Sequence, residues 1–174
     1  MDLDDLYLAL DHLGTRTITG EFFRHTAPRR DALSGTGAAI YGGRWNRPGT
    51  EALYLAAPRE TCAAEFARMA EGQGKGPASF LPRTLHTISV DNLEIVDLTG
   101  VGALETVGLQ RSDLEADDWT VCQQIGDAVD TLGLGGLLAD SATSSGVVLT
   151  VYVRHAHQEK LNLTSSIEVD EDFR

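Results

Sequence analysis

The run Gly146-Val147-Val148-Leu149-Thr150-Val151-Tyr152-Val153 limits what this chain can become more than any other feature. It is almost wholly apolar and rich in β-branched residues, which suits a strand covered on both faces. A sheet with packing partners on each side is therefore expected, with this run as a central strand. Further strands are predicted over residues 17–25, with Ile18, Phe22 and Phe23, over 52–56 and over 135–139. Residues 84–90 and 93–98 alternate around Asp91-Asn92 as a hairpin or one bent strand. Helical spacing of Leu3, Leu6, Tyr7, Leu10 and Leu13 predicts a helix over 2–13, ended by Gly14. Pro58 opens a second helix with an apolar stripe of Cys62, Phe66 and Met69, and residues 119–132 form a third with Val121, Ile125, Val129 and Leu132 inward. The pattern describes an α+β fold, a mixed β-sheet core flanked by helices, in one domain of 174 residues. The core runs from about 17 to 160, and residues 164–174 read as a solvated acidic tail.

Charge narrows the function classes. The net charge of −12 argues against direct nucleic-acid binding, which requires clustered cations to neutralise phosphates. The distribution is uneven: residues 1–83 hold ten basic and ten acidic side chains, whereas residues 84–174 hold four and sixteen. The acidic half offers a docking face for a basic protein partner. In the N-terminal half most cations are arginines, whose planar fork suits phosphate and carboxylate ligands, although a solvated surface role is open to each. No apolar stretch reaches membrane-spanning length, and Met1-Asp2-Leu3-Asp4-Asp5 is the opposite of a basic secretory leader, so a cytoplasmic location and no membrane contact are expected. Cys62 and Cys122 lack CxxC spacing and read as small buried hydrophobes.

Residues 27–50 form a long Gly-, Pro-, Ser- and Arg-rich loop, the kind that in a compact domain carries function, and Tyr41 and Trp45 within it argue for order. Familiar nucleotide motifs fail. Gly35-Thr36-Gly37-Ala38-Ala39-Ile40 lacks the third glycine of a dinucleotide fingerprint, and no P-loop lysine follows a glycine cluster. There is no GxSxG around Ser141 and no HExxH, and His155 with His157 is too sparse a pair for a metal site, so no metal is expected. What remains is a dispersed set: Arg24 at a strand end, Arg44 in a Gly-Gly-Arg-Trp-Asn turn, Tyr54 in a strand, Glu65 at the margin of a helix stripe and Ser141 in a loop between strands.

These residues stand in a specific frame. Gly35-Thr36-Gly37-Ala38, Tyr41-Gly42-Gly43-Arg44-Trp45-Asn46-Arg47-Pro48-Gly49, Leu53-Tyr54-Leu55-Ala56 and Ala64-Glu65, followed by Gln124-Ile125-Gly126 and Asp140-Ser141-Ala142, resemble the RES-domain family. The resemblance covers most of the chain from Phe23 to about Val153. It implies an ADP-ribosyltransferase-like fold, and a toxin of a bacterial toxin–antitoxin pair that consumes NAD, with NAD as substrate. The implied reaction is hydrolysis, phosphorolysis or ADP-ribosyl transfer, and the implied partner is a cognate helix-turn-helix antitoxin. A homo-oligomer is compatible with the resemblance. Carried over by position, Glu65, Arg44 and Ser141 are the catalytic set. Arg24, Arg44, Tyr54, Trp45 and Gly43 are the NAD-binding set.

Elementary chemistry suits these roles. Breaking the nicotinamide–ribose bond develops positive charge on the ribose, which a fixed carboxylate such as Glu65 stabilises. The pyrophosphate needs bidentate cations, which Arg24 and Arg44 supply, and nicotinamide favours an aromatic face such as Tyr54. Gly42 and Gly43 allow close backbone approach. Each residue alone also has a structural reading: Glu65 as an ion-pair partner of Arg68 or Arg24, Tyr54 and Trp45 as core aromatics, Ser141 as a turn serine. Gly146-Val147-Val148 stands where the family has an asparagine, and Asp140 where it has a proline. A degenerate domain that binds a nucleotide or partner protein without turnover is thus the alternative.

Overall fold

In this computed structural model, which describes residues 1–143, 145–156 and 158–170, six strands form one mixed sheet flanked by helices. The strands are β1 (Arg16–Thr26), β2 (Ala52–Ala57), β3 (Arg83–Asp97), β4 (Gly136–Asp140), β5 (Val147–Tyr152) and β6 (Leu161–Val169). Their order is β1-β2-β5-β4-β3-β6, and an additional β1–β3 pairing joins the first five into a closed ring with β6 outside it on β3. Only β3 and β4 run parallel. The helices are α1 (Leu3–Leu13), α2 (Thr36–Tyr41), α3 (Arg59–Gly72), α4 (Ala103–Thr106), α5 (Arg111–Glu115) and α6 (Thr120–Thr131).

The apolar run expected at the centre is β5, between β2 and β4, with Leu149, Val151 and Tyr152 fully buried. Alternation sends successive side chains to opposite faces, giving two cores. Leu53, Leu55, Ile88, Ile95, Leu149 and Val151 fill the ring. Leu137, Ala139 and Tyr152 face outward against α6, α1 and the Trp45 ring. The α1 helix starts as its sequence demands: Asp2 Oδ1 accepts from the Asp5 amide at 2.9 Å, and Gly14 ends it with φ 69°.

Of the two readings of residues 84–98, the structure has the bent strand, within Arg83–Asp97: Asn92 takes φ 49°, and β1 shifts register opposite it between Ile18 and Gly20, where the Asn92 amide donates to Thr19 Oγ1 at 2.9 Å. Three expectations change. The inward face of α6 is rotated from the one predicted, since Val121 and Leu132 are 45% and 49% exposed while Cys122, Ile125, Ala128 and Val129 are buried. The loop over 27–50 contains α2. Finally, residues 164–169 are not a free tail, although the side chains of 164–168 are exposed. They belong to β6, paired with β3 from Arg83↔Val169 to Val90↔Leu161, where the long outer edge of β3 offers a row of backbone donors and acceptors. The remaining tail residues 171–174 lie outside the described residues, as does His157. The other member of that histidine pair, His155, hydrogen-bonds the Asp130 carbonyl oxygen.

Candidate active site

The Gly42–Trp45 turn is built around Asn46. This residue is fully buried, and its amide nitrogen donates to the carbonyls of Ala38, Arg47 and Thr50 at 3.0, 3.1 and 3.0 Å. Its Oδ1 accepts the Tyr54 hydroxyl at 2.7 Å, while that hydroxyl accepts the Trp45 amide at 2.9 Å. Burial holds the Tyr54 hydroxyl protonated, far above the ordinary phenol range. Gly43 must be glycine, because a Cβ there would lie 2.4 Å from the Tyr54 hydroxyl. From α6, Gln123 donates to the Gly43 carbonyl at 3.0 Å. Gly126 lets the same helix approach so closely that a Cβ would fall 1.9 Å from the Trp45 carbonyl oxygen, which also accepts from the Tyr152 hydroxyl. The turn is thus clamped between β2, β5 and α6, with Tyr54 held at its tip and its ring on the cavity wall.

Glu65 is braced from the opposite side. It is half-buried on α3, where it lines the cavity. Ser141, fully buried just beyond β4, donates its hydroxyl to Glu65 Oε1 at 2.6 Å, and Thr143 donates to the same oxygen at 3.2 Å. The Thr143 amide in turn donates to Ser141 Oγ at 3.1 Å, an arrangement in which the serine side chain folds its own turn. Arg111 fixes that turn from outside, donating to the Ser141 carbonyl at 2.6 Å and pairing with Asp140 at 3.1 Å. Gly146 closes it: its carbonyl accepts the Ser141 amide at 2.8 Å, and a Cβ at 146 would meet Thr61 Oγ1 at 1.9 Å. No side chain fits at Gly146 without displacing Thr61 or the Ala57 carbonyl. The carboxylate is nevertheless held by two hydroxyls on one oxygen, leaving Oε2 without a hydrogen bond from the braces described.

The cavity between these walls has a volume of about 900 Å³. Arg24, Arg44 and Arg68 line it, and each gives hydrogen bonds to main-chain carbonyls. Arg24 holds the loop carbonyls of Ala32 and Ser34, with Nη2 2.9 Å from the latter. Arg44 Nη1 donates to Asp113 and Ala116 at 3.2 and 3.1 Å, with the guanidinium 5.5 Å from the Trp119 ring centroid. Arg68 Nη2 donates to Glu115 at 2.8 Å. Among the described residues none of the three forms an ion pair with a carboxylate. Burial lowers the pKa of Arg24 and Arg44, and the neighbouring charge of Arg68 lowers Arg44 further, but both remain cations.

Close to Arg24 lies a neutral histidine. Arg83 Nη2 sits 2.8 Å from His25 Nδ1, and because arginine only donates, that nitrogen is an acceptor and the ring is neutral. Burial first, then the charges of Arg83, Arg24 and His86, lower His25 to about 3. The ring meets Phe66 edge-on at 4.8 Å. The Cys62 thiol on the same wall is pushed up to about 12 by burial, so it stays protonated and unreactive.

The structure therefore brings Arg24, Gly43, Arg44, Tyr54 and Glu65 to one cavity. Ser141 reaches it only through Glu65. Trp45 differs from expectation: it is 2% exposed and packs in the core against α6 and β5, so its ring does not line the cavity. A large apolar ring one residue after the exposed turn is drawn inward, and the chain turns about it. Asn46, Thr143, Arg111 and Trp119 were not singled out as site residues. Asn46 stood inside the Gly-Gly-Arg-Trp-Asn run, and Thr143 two residues beyond Ser141, at the spacing of a side-chain turn.

Comparison with known proteins agrees with the geometry. The RES domain family pattern matches residues 21–168. The NAD(+) phosphorylase MbcT of Mycobacterium tuberculosis is 37% identical over 169 residues, covering 95% of this chain and 91% of that protein. A probable NAD(+) phosphorylase of the same organism, Rv3189, is 29% identical over 140 residues, covering 79% of this chain and 66% of that protein. The crystal structure of the M. tuberculosis MbcT-MbcA toxin-antitoxin complex contains a chain that superposes with a TM-score of 0.89 at 36% identity, covering 97% of this chain and 94% of that one. Matched by the family pattern over residues 21–168 and 37% identical to MbcT along nearly its whole length, the chain belongs to the RES domain family.

Proposed function

We propose that this protein is an NAD-consuming toxin of a bacterial toxin–antitoxin pair, and that it cleaves the nicotinamide–ribose bond by phosphorolysis. The observation that carries the reading is the Glu65 carboxylate, locked through Oε1 by Ser141 and Thr143 at the wall of a cavity furnished with arginines. As the bond to nicotinamide lengthens, the ring nitrogen regains its electron pair and positive charge moves to the ribose. A carboxylate held in place beforehand stabilises that charge without reorganising. Tyr54 presents a fixed aromatic face for nicotinamide, and Arg24 and Arg44 carry charge for the pyrophosphate. Ser141 acts by positioning Glu65.

Phosphorolysis is favoured over hydrolysis and over transfer to a protein because MbcT and Rv3189 are both named NAD(+) phosphorylases, the first at 37% identity. The antitoxin reading rests on the MbcT-MbcA complex, the assembly in which the superposed chain is found. We take the antitoxin to be a helix-turn-helix protein that blocks the cavity, and assembly into a homo-oligomer to be compatible with it. No helix among the described residues is long and apolar enough to cross a membrane.

Incubating purified protein with NAD and phosphate, then identifying products by mass, tests the reading. Nicotinamide together with ADP-ribose bearing phosphate on its anomeric carbon is expected. ADP-ribose alone would replace phosphorolysis by hydrolysis, label retained on protein would replace it by transfer, and bound but intact NAD would mark a degenerate binding domain.

A further inference from the structure

Three arginines line the cavity, and the function proposed above assigns Arg24 and Arg44 to the pyrophosphate of NAD. Arg68 is the cation left over. It lies three residues beyond Glu65 on α3, so the two side chains share one face of the helix with Cβ atoms about 5–6 Å apart. Its Nη2 is fixed by the Glu115 carbonyl at 2.8 Å, and Arg44 is fixed by the carbonyls of Asp113 and Ala116 in the same short segment. Carbonyl ligation orients a guanidinium while leaving its charge in place. In a chain of net charge −12, two cavity arginines that both anchor to the C-terminal end of α5, and that form no carboxylate ion pair among the described residues, keep two positive charges beside Glu65. Glu71 and Asp117 also line the cavity, so a small ligand seated here must be a strong anion able to outcompete them for the guanidinium forks.

We infer that Arg68 holds the inorganic phosphate that attacks the ribose, in an anion subsite next to the one that Arg24 and Arg44 offer the NAD pyrophosphate. This rests on the phosphorolysis reading above. A phosphate oxygen on Arg68 stands one helical turn from the carboxylate that attends the ribose, within reach of the anomeric carbon. The phosphate oxygen forms the new C–O bond with its own lone pair as the C–N bond breaks, and the departing pair neutralises the pyridinium nitrogen. No proton need move in that step.

The test measures initial rates of nicotinamide release over a matrix of NAD and phosphate concentrations, together with calorimetric titration of inorganic phosphate into the enzyme without NAD. For Arg68→Gln we expect the KM for phosphate and the phosphate dissociation constant to rise about tenfold or more, the loss of one charge-assisted bidentate contact, while the KM for NAD changes far less. Arg68→Lys should recover part of the phosphate affinity, because a point charge replaces the fork. Circular dichroism establishes that the variants are folded. Equal phosphate KM and equal phosphate binding in wild type and Arg68→Gln would overturn the subsite while leaving NAD cleavage standing. Phosphate binding that depends on Arg68, in a protein that releases no nicotinamide, would uphold the anion site and overturn its role in phosphorolysis.

Discussion

Two groups of arginines in this protein, one outside and one in the cavity, differ in their partners. On the outer surface Arg16, Arg47 and Arg154 each face a carboxylate, Asp97 at 2.6 Å, Asp127 at 3.1 Å and Asp130, with the arginine side chains 46%, 48% and 61% exposed. In the cavity Arg24, Arg44 and Arg68 bond main-chain carbonyls instead. The difference teaches what each region is for. A carboxylate partner neutralises the cation, and at an exposed site the pair is worth little. A carbonyl partner holds the same group at a chosen place with its charge intact for an anionic ligand.

The comparison breaks or sharpens in a defined order. Arg44→Ala has the largest expected effect, a fall in kcat/KM for NAD of about a hundredfold or more with the fold retained, read from initial rates and circular dichroism. Tyr54→Phe comes next. It leaves the Trp45 amide and Asn46 Oδ1 without the hydroxyl that links them, and urea unfolding should show a loss of about 1–3 kcal/mol.

His25 contributes a pH dependence. Its folded pKa of about 3 lies below the ordinary 6.5, so the unfolded chain binds the extra proton first. The associated stability is present above pH 6.5 and is lost progressively as pH falls from there toward 3. Urea midpoints of His25→Gln should decline less steeply than those of the wild type between pH 6.5 and 5. The smallest effect belongs to the outer region: Arg16→Gln should cost under about 1 kcal/mol and leave NAD cleavage unaltered, and an activity loss there would dissolve the distinction between the regions.

Much of this was legible from the residues. The apolar run ending in Val153 predicted a central strand because burial on both faces leaves a composition that few other environments tolerate, and β5 occupies that place. The turn carrying Arg44 and the helix carrying Glu65 were recognisable because glycine and charge at fixed spacing are local signals. The misread parts were set by distant partners. Whether residues 164–169 dangle or pair depends on the free edge of β3, some eighty residues earlier, and alternation within the segment does not record that edge. The rotation of the α6 face follows from Gly126 meeting the Trp45 carbonyl, a contact between helix and loop. Trp45 itself shows the same limit, since an aromatic residue in a functional motif serves the site equally well as a wall or as an anchor, and only packing tells them apart.

The account turns on Glu65 acting as a fixed carboxylate beside NAD. Nicotinamide release from NAD in phosphate buffer, measured for wild type and Glu65→Gln at equal concentration and with circular dichroism on both, tests this most directly. The wild type should release nicotinamide, and the variant should do so slower by about a hundredfold or more. Release at equal rates, or none from the wild type, would contradict the account.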